Sequence, residues 1–217
     1  MAGTVMNKSL VIGIDFGTTF SGVAWAIVDD QKNVQVISTW PGAGNKSSVK
    51  VPTLMAFLEG RFLWGWQASA LSKEPIRGVK LLFDESQSHR YNPSLKAKKK
   101  LDAMKKSPVD VASQYLEQVL LHTQDILERR LGSATKDMSK KYVLTVPAVW
   151  SDKAKDNTLK TAISGGIPEH QLALLSEPEA AALYTLRAIQ PNTIKKNDTF
   201  LVCDAGGGTV VWWYSSS

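Results

Sequence analysis

Cysteine is nearly absent from this sequence: Cys203 is the only one in 217 residues. A single thiol excludes an intrachain disulfide and a thiolate metal cluster. Lying in the apolar run Phe200-Leu201-Val202-Cys203, it reads as a small buried side chain. No apolar run approaches the length of a membrane-spanning helix. The run after Lys8 is too short for a signal core, so a cytoplasmic location and no membrane partner are expected. The formal charge of +6 is mild, and it concentrates at Lys96, Lys98, Lys99, Lys100, Lys105 and Lys106. These alternate with Ala, Leu and Met rather than with aromatics, which reads as a solvated helix surface and not as a nucleic-acid footprint. A P-loop is missing too. Gly42-Ala43-Gly44-Asn45-Lys46-Ser47 places Asn45 where a Gly must precede the Lys, without the required strand before it or helix after it.

What is present begins with Leu10-Val11-Ile12-Gly13-Ile14-Asp15-Phe16-Gly17-Thr18-Thr19. An apolar run ends on a carboxylate, then a Gly and two hydroxyls, and a second apolar run starts at Ser21. This predicts a buried strand, a tight turn and an antiparallel return strand. Gly17 lacks a Cβ, which would let backbone N–H groups approach an anion, and Thr18 and Thr19 add donors. Asp15 at a strand end can hold hydrated Mg²⁺ that bridges phosphate oxygens. The same order recurs in Phe200-Leu201-Val202-Cys203-Asp204-Ala205-Gly206-Gly207-Gly208-Thr209. Two such turns could clamp one polyphosphate.

With 43% hydrophobic residues the chain can bury a sizeable core. Ser21–Val28 and Val34–Ser38 complete a three-stranded meander, with Asp29 to Lys32 as the turn. Pro41–Ser48 reads as a loop. Val51–Leu58 and Arg61–Gly65 predict a hairpin across Glu59-Gly60, and Gln67–Ser72 one short helix. Lys80 stands alone in Val79-Lys80-Leu81-Leu82-Phe83. Either its stem packs while its head reaches water, or it is held near transferred phosphate; periodicity leaves both open. Tyr91–Lys106 reads as helical and coil segments of a lateral insertion. Ser107-Pro108-Val109-Asp110 is a helix start with an N-cap and a first-turn Pro. The stripe from Val111 to Leu131 makes that helix a core element, and Gly132 ends it. Lys141–Val146, Asp152–Ser164, Leu172–Leu175, Ala180–Ala188 and Asp198–Cys203 alternate strand and helix, with Ser176-Glu177-Pro178-Glu179 capping the second helix. That alternation predicts parallel pairing with right-handed crossovers and, joined to the meander, an α/β fold with a mixed sheet and helices on its faces.

Four stretches in order resemble the Hsp70 ATPase domains of the actin-like superfamily. Ile14-Asp15-Phe16-Gly17-Thr18-Thr19 is similar to the first phosphate motif. Val143-Leu144-Thr145-Val146-Pro147-Ala148 followed by Asp152 is similar to the segment with the proline switch. Ser176-Glu177-Pro178-Glu179-Ala180-Ala181-Ala182 is similar to the connecting motif, and Asp204-Ala205-Gly206-Gly207-Gly208-Thr209 to the second phosphate motif. The likeness is loosest over residues 40–106, where the chain looks more like the divergent HSPA-twelve type and its fungal relatives.

The resemblance implies a ribonuclease-H-like, actin-like ATPase lobe with a mixed five-stranded sheet and an insertion subdomain at about 41–107. Residues 1–197 would be the first lobe of a nucleotide-binding domain and 198–217 the start of a second. ATP or ADP with Mg²⁺ would be the cofactors. Asp15 and Asp204 would hold the metal through water. Gly17, Thr18, Thr19, Gly206, Gly207, Gly208 and Thr209 would bind phosphate. Lys80, Glu177 and Asp204 would be catalytic, with Lys80 orienting the attacking water and Glu177 near metal and water. Pro147 and Lys155 would transmit nucleotide state. Client proteins or cochaperones would be partners of a full-length form.

The sequence departs from the family in places. Val211 stands where an Asp is usual, Lys155 where an Arg is usual, and Trp212-Trp213-Tyr214-Ser215-Ser216-Ser217 replaces the usual continuation. The expectation is therefore a truncated form with little hydrolysis alone and self-association through the C-terminal strand. A non-catalytic interaction module and a sugar kinase of the same superfamily stay open as alternatives.

Overall fold

The structure, a computed structural model, describes residues 9–30, 33–84, 91–188, 195, 198–206 and 210–216. Its centre is a six-stranded mixed sheet. Strand β1 (Ser9–Phe16) runs antiparallel to β2 (Phe20–Ile27) and parallel to β8 (Ser139–Val146), which in turn runs parallel to β9 (Leu172–Ser176). On the far side of β2 lie β3 (Gln35–Val36) and β4 (Val51–Pro52), both antiparallel to it. The path β3-β2-β1-β8-β9 is the expected five-stranded sheet, and β4 is a short addition beside β3.

β1 shows why the sheet has two distinct faces. Leu10, Ile12, Ile14 and Phe16 are buried, while Val11, Gly13 and Asp15 between them are only partly so, the period of two that a pleated strand imposes. The buried set packs with helix α3 (Pro108–Leu131) and, through it, α4 (Asp152–Ser164). The Phe16 ring lies 5.9 Å from that of Tyr115 and 6.4 Å from that of Phe83. The N-terminus of α3 is a complete capping box: Ser107 Oγ accepts from the Asp110 N–H at 3.1 Å, and an Asp110 carboxylate oxygen accepts from the Ser107 N–H at 3.0 Å. α4 begins on Ser151, whose hydroxyl accepts from the Ala154 N–H, and it ends at Gly165.

The stretch 51–58 corrects the expectation of one long strand. Residues 51 to 56 are all buried, which a strand with one solvated face does not allow. The chain instead leaves the main sheet at Thr53 and enters a second sheet of β5 (Leu54–Leu58), β6 (Arg61–Trp64) and β7 (Ile76–Arg77), ordered β6-β5-β7. Pro52 cannot donate to a ladder. Thr53 is held on both sides of that break: its N–H donates to the Thr19 carbonyl at 2.8 Å, and its hydroxyl pairs with that of Ser21 at 2.9 Å. Helix α1 (Gly65–Leu71) begins two residues before the expected Gln67, because Gly65 takes φ +56° and ends β6. The meander's third strand shortens to Gln35–Val36, and α2 (Asn92–Ala103) covers most of the predicted helical stretch.

Helix α5 (Glu177–Ala188) starts at Glu177 rather than at Ala180, with Ser176 Oγ accepting from the Glu179 N–H at 3.3 Å. β10 (Thr199–Ala205) does not join the parallel ladder as the alternation predicted. It pairs antiparallel with β11 (Val210–Ser216), Cys203 opposite Trp212, in a hairpin against which α5 packs. In that hairpin Cys203 is exposed, which overturns its reading as a buried side chain.

Candidate functional site

The cleft lies over the other face of the main sheet and has a volume of about 980 Å³. Gly13, Asp15, Val143 and Thr145 come from β1 and β8, while Thr18 and Thr19 come from the turn between β1 and β2. Ala180 and Tyr184 line it from α5, and Gly206 from the β10–β11 turn. Phe20, Val49, Leu183 and Tyr184 add exposed apolar surface to its walls.

The turn is tight for a steric reason that differs from the expected one. A Cβ on Gly17 would lie 2.2 Å from the Phe20 carbonyl oxygen, so the glycine is needed to close the turn on itself. The turn is braced from outside by the Thr53 N–H on the Thr19 carbonyl. Beneath it Tyr115 donates its hydroxyl to the Pro52 carbonyl at 3.2 Å, and burial pushes its phenol well above the ordinary range. The Thr53 contact holds the backbone of the turn that carries Thr18 and Thr19, both half-buried.

Lys80 resolves in favour of a buried role. It sits on a 3₁₀ turn (Val79–Phe83) and is 2% exposed, so its head does not reach water. Its Nζ donates to Glu177 Oε1 at 2.6 Å and lies 5.2 Å from the centre of the Trp150 ring. The 3₁₀ turn is anchored by Gly78 at φ +70°, whose carbonyl accepts from the buried Ser94 hydroxyl at 2.8 Å. Burial of an ammonium is tolerable only when it is paired and bonded, and Glu177 with the Trp150 face supplies both. At the mouth, Asp15 Oδ2 accepts from Lys50 Nζ at 2.7 Å, and Thr145 Oγ1 lies 3.5 Å from Asp15 Oδ1.

Asp15, Gly17, Thr18, Thr19, Lys80, Glu177 and Gly206 are thus gathered around one cleft. Asp204 lies on β10, and its side chain is outside what is described, as are Gly207, Gly208 and Thr209 altogether. Pro147 and Lys155 are not among the cleft's lining residues. Pro147 is buried just past the end of β8, its carbonyl accepting from the Trp150 N–H at 3.2 Å. Lys155 faces Asp152 at 3.6 Å on the surface of α4. Sequence reasoning missed Lys50, Thr145 and Trp150. Thr145 was recoverable, since it alternates with the inward Leu144 and Val146 on β8. Lys50 and Trp150 carry no local signal, as both reach the site through tertiary packing.

The cleft thus brings together a hydroxyl-bearing turn, the buried Lys80 ammonium and the partly buried Glu177 carboxylate. The family model described as Hsp70 protein matches residues 11–211. Human heat shock 70 kDa protein 12B is 30% identical over 191 residues, covering 81% of this chain and 28% of that protein. Mouse heat shock 70 kDa protein 12A is 28% identical over 193 residues, again 81% of this chain and 28% of that protein. The chaperone protein DnaK of Thermosipho africanus is 29% identical over 206 residues, 94% of this chain and 30% of that protein. The chain spans less than a third of the length of these curated relatives. Since the match runs through the β1–β2 turn, the Lys80 segment, β8, α5 and β10, the chain belongs to the Hsp70 family.

Proposed function

We propose that the cleft binds a Mg–nucleotide by its phosphates, and that residues 1–197 form the first lobe of an Hsp70-type nucleotide-binding domain with 198–217 beginning the second. The observation that carries this reading is the buried Lys80, paired with the partly buried Glu177, lining the same cleft as Asp15 and the Thr18-Thr19 turn. Lys80 Nζ is held by Glu177 Oε1, and an ammonium has three donors, so it can keep that partner and still donate to an anionic ligand.

The side chains fit the group. Asp15 offers a carboxylate to a hydrated divalent ion, and Thr18 and Thr19 offer hydroxyl donors to phosphate oxygens. Lys80 stands ready to offset charge on a terminal phosphate and to orient a water, with Glu177 holding its ammonium in place. Bound Mg²⁺, held through water by Asp15 and Asp204, would supply charge neutralisation on the phosphates. Asp204 would hold the metal through water, and Gly206, Gly207, Gly208 and Thr209 would bind phosphate. Pro147 and Lys155, at the end of β8 and on α4, would relay the state of the site. Clients or cochaperones belong to a longer form.

Hydrolysis by this chain alone is expected to be slight, and ATP affinity weak, because several contacts of a complete site are not supplied and each is worth on the order of 1 kcal/mol. Isothermal titration with Mg–ATP tests this. Binding in the high micromolar to millimolar range, competed by tripolyphosphate, supports the reading; submicromolar affinity contradicts the weak-binding expectation, and no binding of either ligand at millimolar concentration overturns the phosphate site.

A further inference from the structure

Lys50 was assigned no role by its sequence, yet the fold builds it into the phosphate turn. It directly precedes β4, and β4 pairs with the first residues of β2 after the turn, Val51 opposite Ser21 and Pro52 opposite Phe20. On the other side of β2, Gly22 pairs with Asp15 of β1. The stem of Lys50 crosses Gly22: a Cβ built there would meet Lys50 Cγ at 3.5 Å and Cε at 3.8 Å. The ammonium therefore passes over the bare glycine and lands on Asp15 Oδ2 at 2.7 Å. Both side chains line the cleft, and both are substantially exposed, 50% for Lys50 and 40% for Asp15.

An ion pair this exposed contributes little to folding. Its consequence is local. Asp15 alone would repel a polyphosphate, and a divalent cation is the usual way to cancel such a charge. Here a tethered cation already cancels it, and an ammonium has three donors, so it can keep Asp15 and still reach a phosphate oxygen.

We propose that Lys50 is a built-in counter-cation of the phosphate turn, neutralising Asp15 so that a polyphosphate enters this cleft without needing a divalent ion. The proposal rests on the phosphate-binding reading above. It concerns entry and binding, and leaves to the metal whatever role it has in transfer.

The test is titration of the full chain with ATP and with tripolyphosphate, each in excess Mg²⁺ and in excess EDTA. Wild-type affinity should change by less than about threefold between the two conditions. Lys50→Ala should lose about tenfold in EDTA, the worth of one charge-assisted bond, and less than about threefold in Mg²⁺, with an unchanged melting temperature. Lys46→Ala removes the same formal charge from the exposed loop nearby and should reproduce neither loss. An equal loss in both conditions for Lys50→Ala, no loss in either, or an effect matched by Lys46→Ala overturns the proposal while leaving nucleotide binding intact. A Lys50-dependent signal with tripolyphosphate but none with ATP sustains the counter-cation and removes the nucleotide reading. Failure of wild type to bind either probe removes both.

Discussion

The two faces of β1 are made from alternate residues of one eight-residue strand, yet they serve different ends. Leu10, Ile12, Ile14 and Phe16 are at most 1% exposed and join the core with α3. Gly13 and Asp15 line the cleft and support no core. The first face is filled by large apolar groups whose loss leaves a cavity. The second carries small and polar groups whose loss leaves the fold in place. The lesson is that core packing and exposure to the cleft largely separate by parity along the strand, Ile14 alone belonging to the core and also reaching the cleft wall, so substitutions one residue apart should fail in different ways.

The largest effect is expected on the core face. Phe16→Ala removes a ring that sits between Tyr115 and Phe83, and should cost about 3–5 kcal/mol in urea unfolding. Asp15→Asn, its neighbour, should change stability by less than about 1 kcal/mol. Equal losses at the two positions would break the division by parity.

Lys80 is where the division is sharpened, because a cleft residue there is also deeply buried. Lys80→Met leaves the Glu177 carboxylate without its ammonium and should cost about 3 kcal/mol. Adding Glu177→Leu should return most of that, since an apolar pair of similar size removes the unpaired charge. If the single variant is as stable as wild type, water reaches Glu177 well enough to replace Lys80, and the pair is not a buried one in solution.

How much of this could be read from the sequence follows the same physics. The β1 turn, α3 with its cap, α4, β8 and β9 were legible because local pattern and final environment agree there: period two, period 3.6, a Ser–Asp box, a terminal Gly. The break at Thr53 was not, because the residues on both sides of it, Val51-Pro52 and Leu54-Met55-Ala56, are apolar and their pattern does not say which sheet each half joins. β10 misled for the opposite reason. Its apolar pattern suits an interior strand, but its partner in the structure is β11, and Cys203 faces outward. At the site, Asp15, Thr18, Thr19, Glu177 and Gly206 could be named from motif order and Lys80 only from the family resemblance, and the structure places them around one cleft. Their geometry could not, because Lys80 meets Glu177 across 97 residues of sequence and Lys50 meets Asp15 across 35.

A smaller effect belongs to the support behind the core face. Ser107→Ala opens the capping box of α3 and should cost about 1 kcal/mol at neutral pH. Hydrogen bonding to Ser107, through its side chain first and its backbone second, holds the Asp110 carboxyl below its usual range. A carboxyl depressed in the folded state contributes stability that is fully present above its unfolded value, about 4, and is lost as pH falls through the folded one. The difference between wild type and Ser107→Ala should therefore be largest at pH 6–7 and shrink below about pH 4. A difference that stays constant from pH 7 to pH 3 would show that the cap acts by shape alone and not through the Asp110 charge.

The smallest effect on stability, and the most direct probe of the cleft face, is at Gly13. A Cβ there has the Ala24 carbonyl oxygen 3.8 Å away as its nearest neighbour, which is ordinary contact, and φ is not in the left-handed region. Gly13→Ala should thus be neutral or stabilise by up to about 0.5 kcal/mol, through the lower freedom of the unfolded chain. Gly13→Leu extends from the same point into the cleft floor and should also leave the melting temperature near wild type, since it meets open space and not packed core. Its consequence is instead for the ligand: filling the floor beside Asp15 should weaken tripolyphosphate binding severalfold, while Gly13→Ala leaves it nearly unchanged. Thermal unfolding and titration on the same two variants decide the matter. Were Gly13→Leu to unfold the chain, this face would be covered by packing in solution, and a glycine at position 13 would be a core residue like its neighbours at 12 and 14.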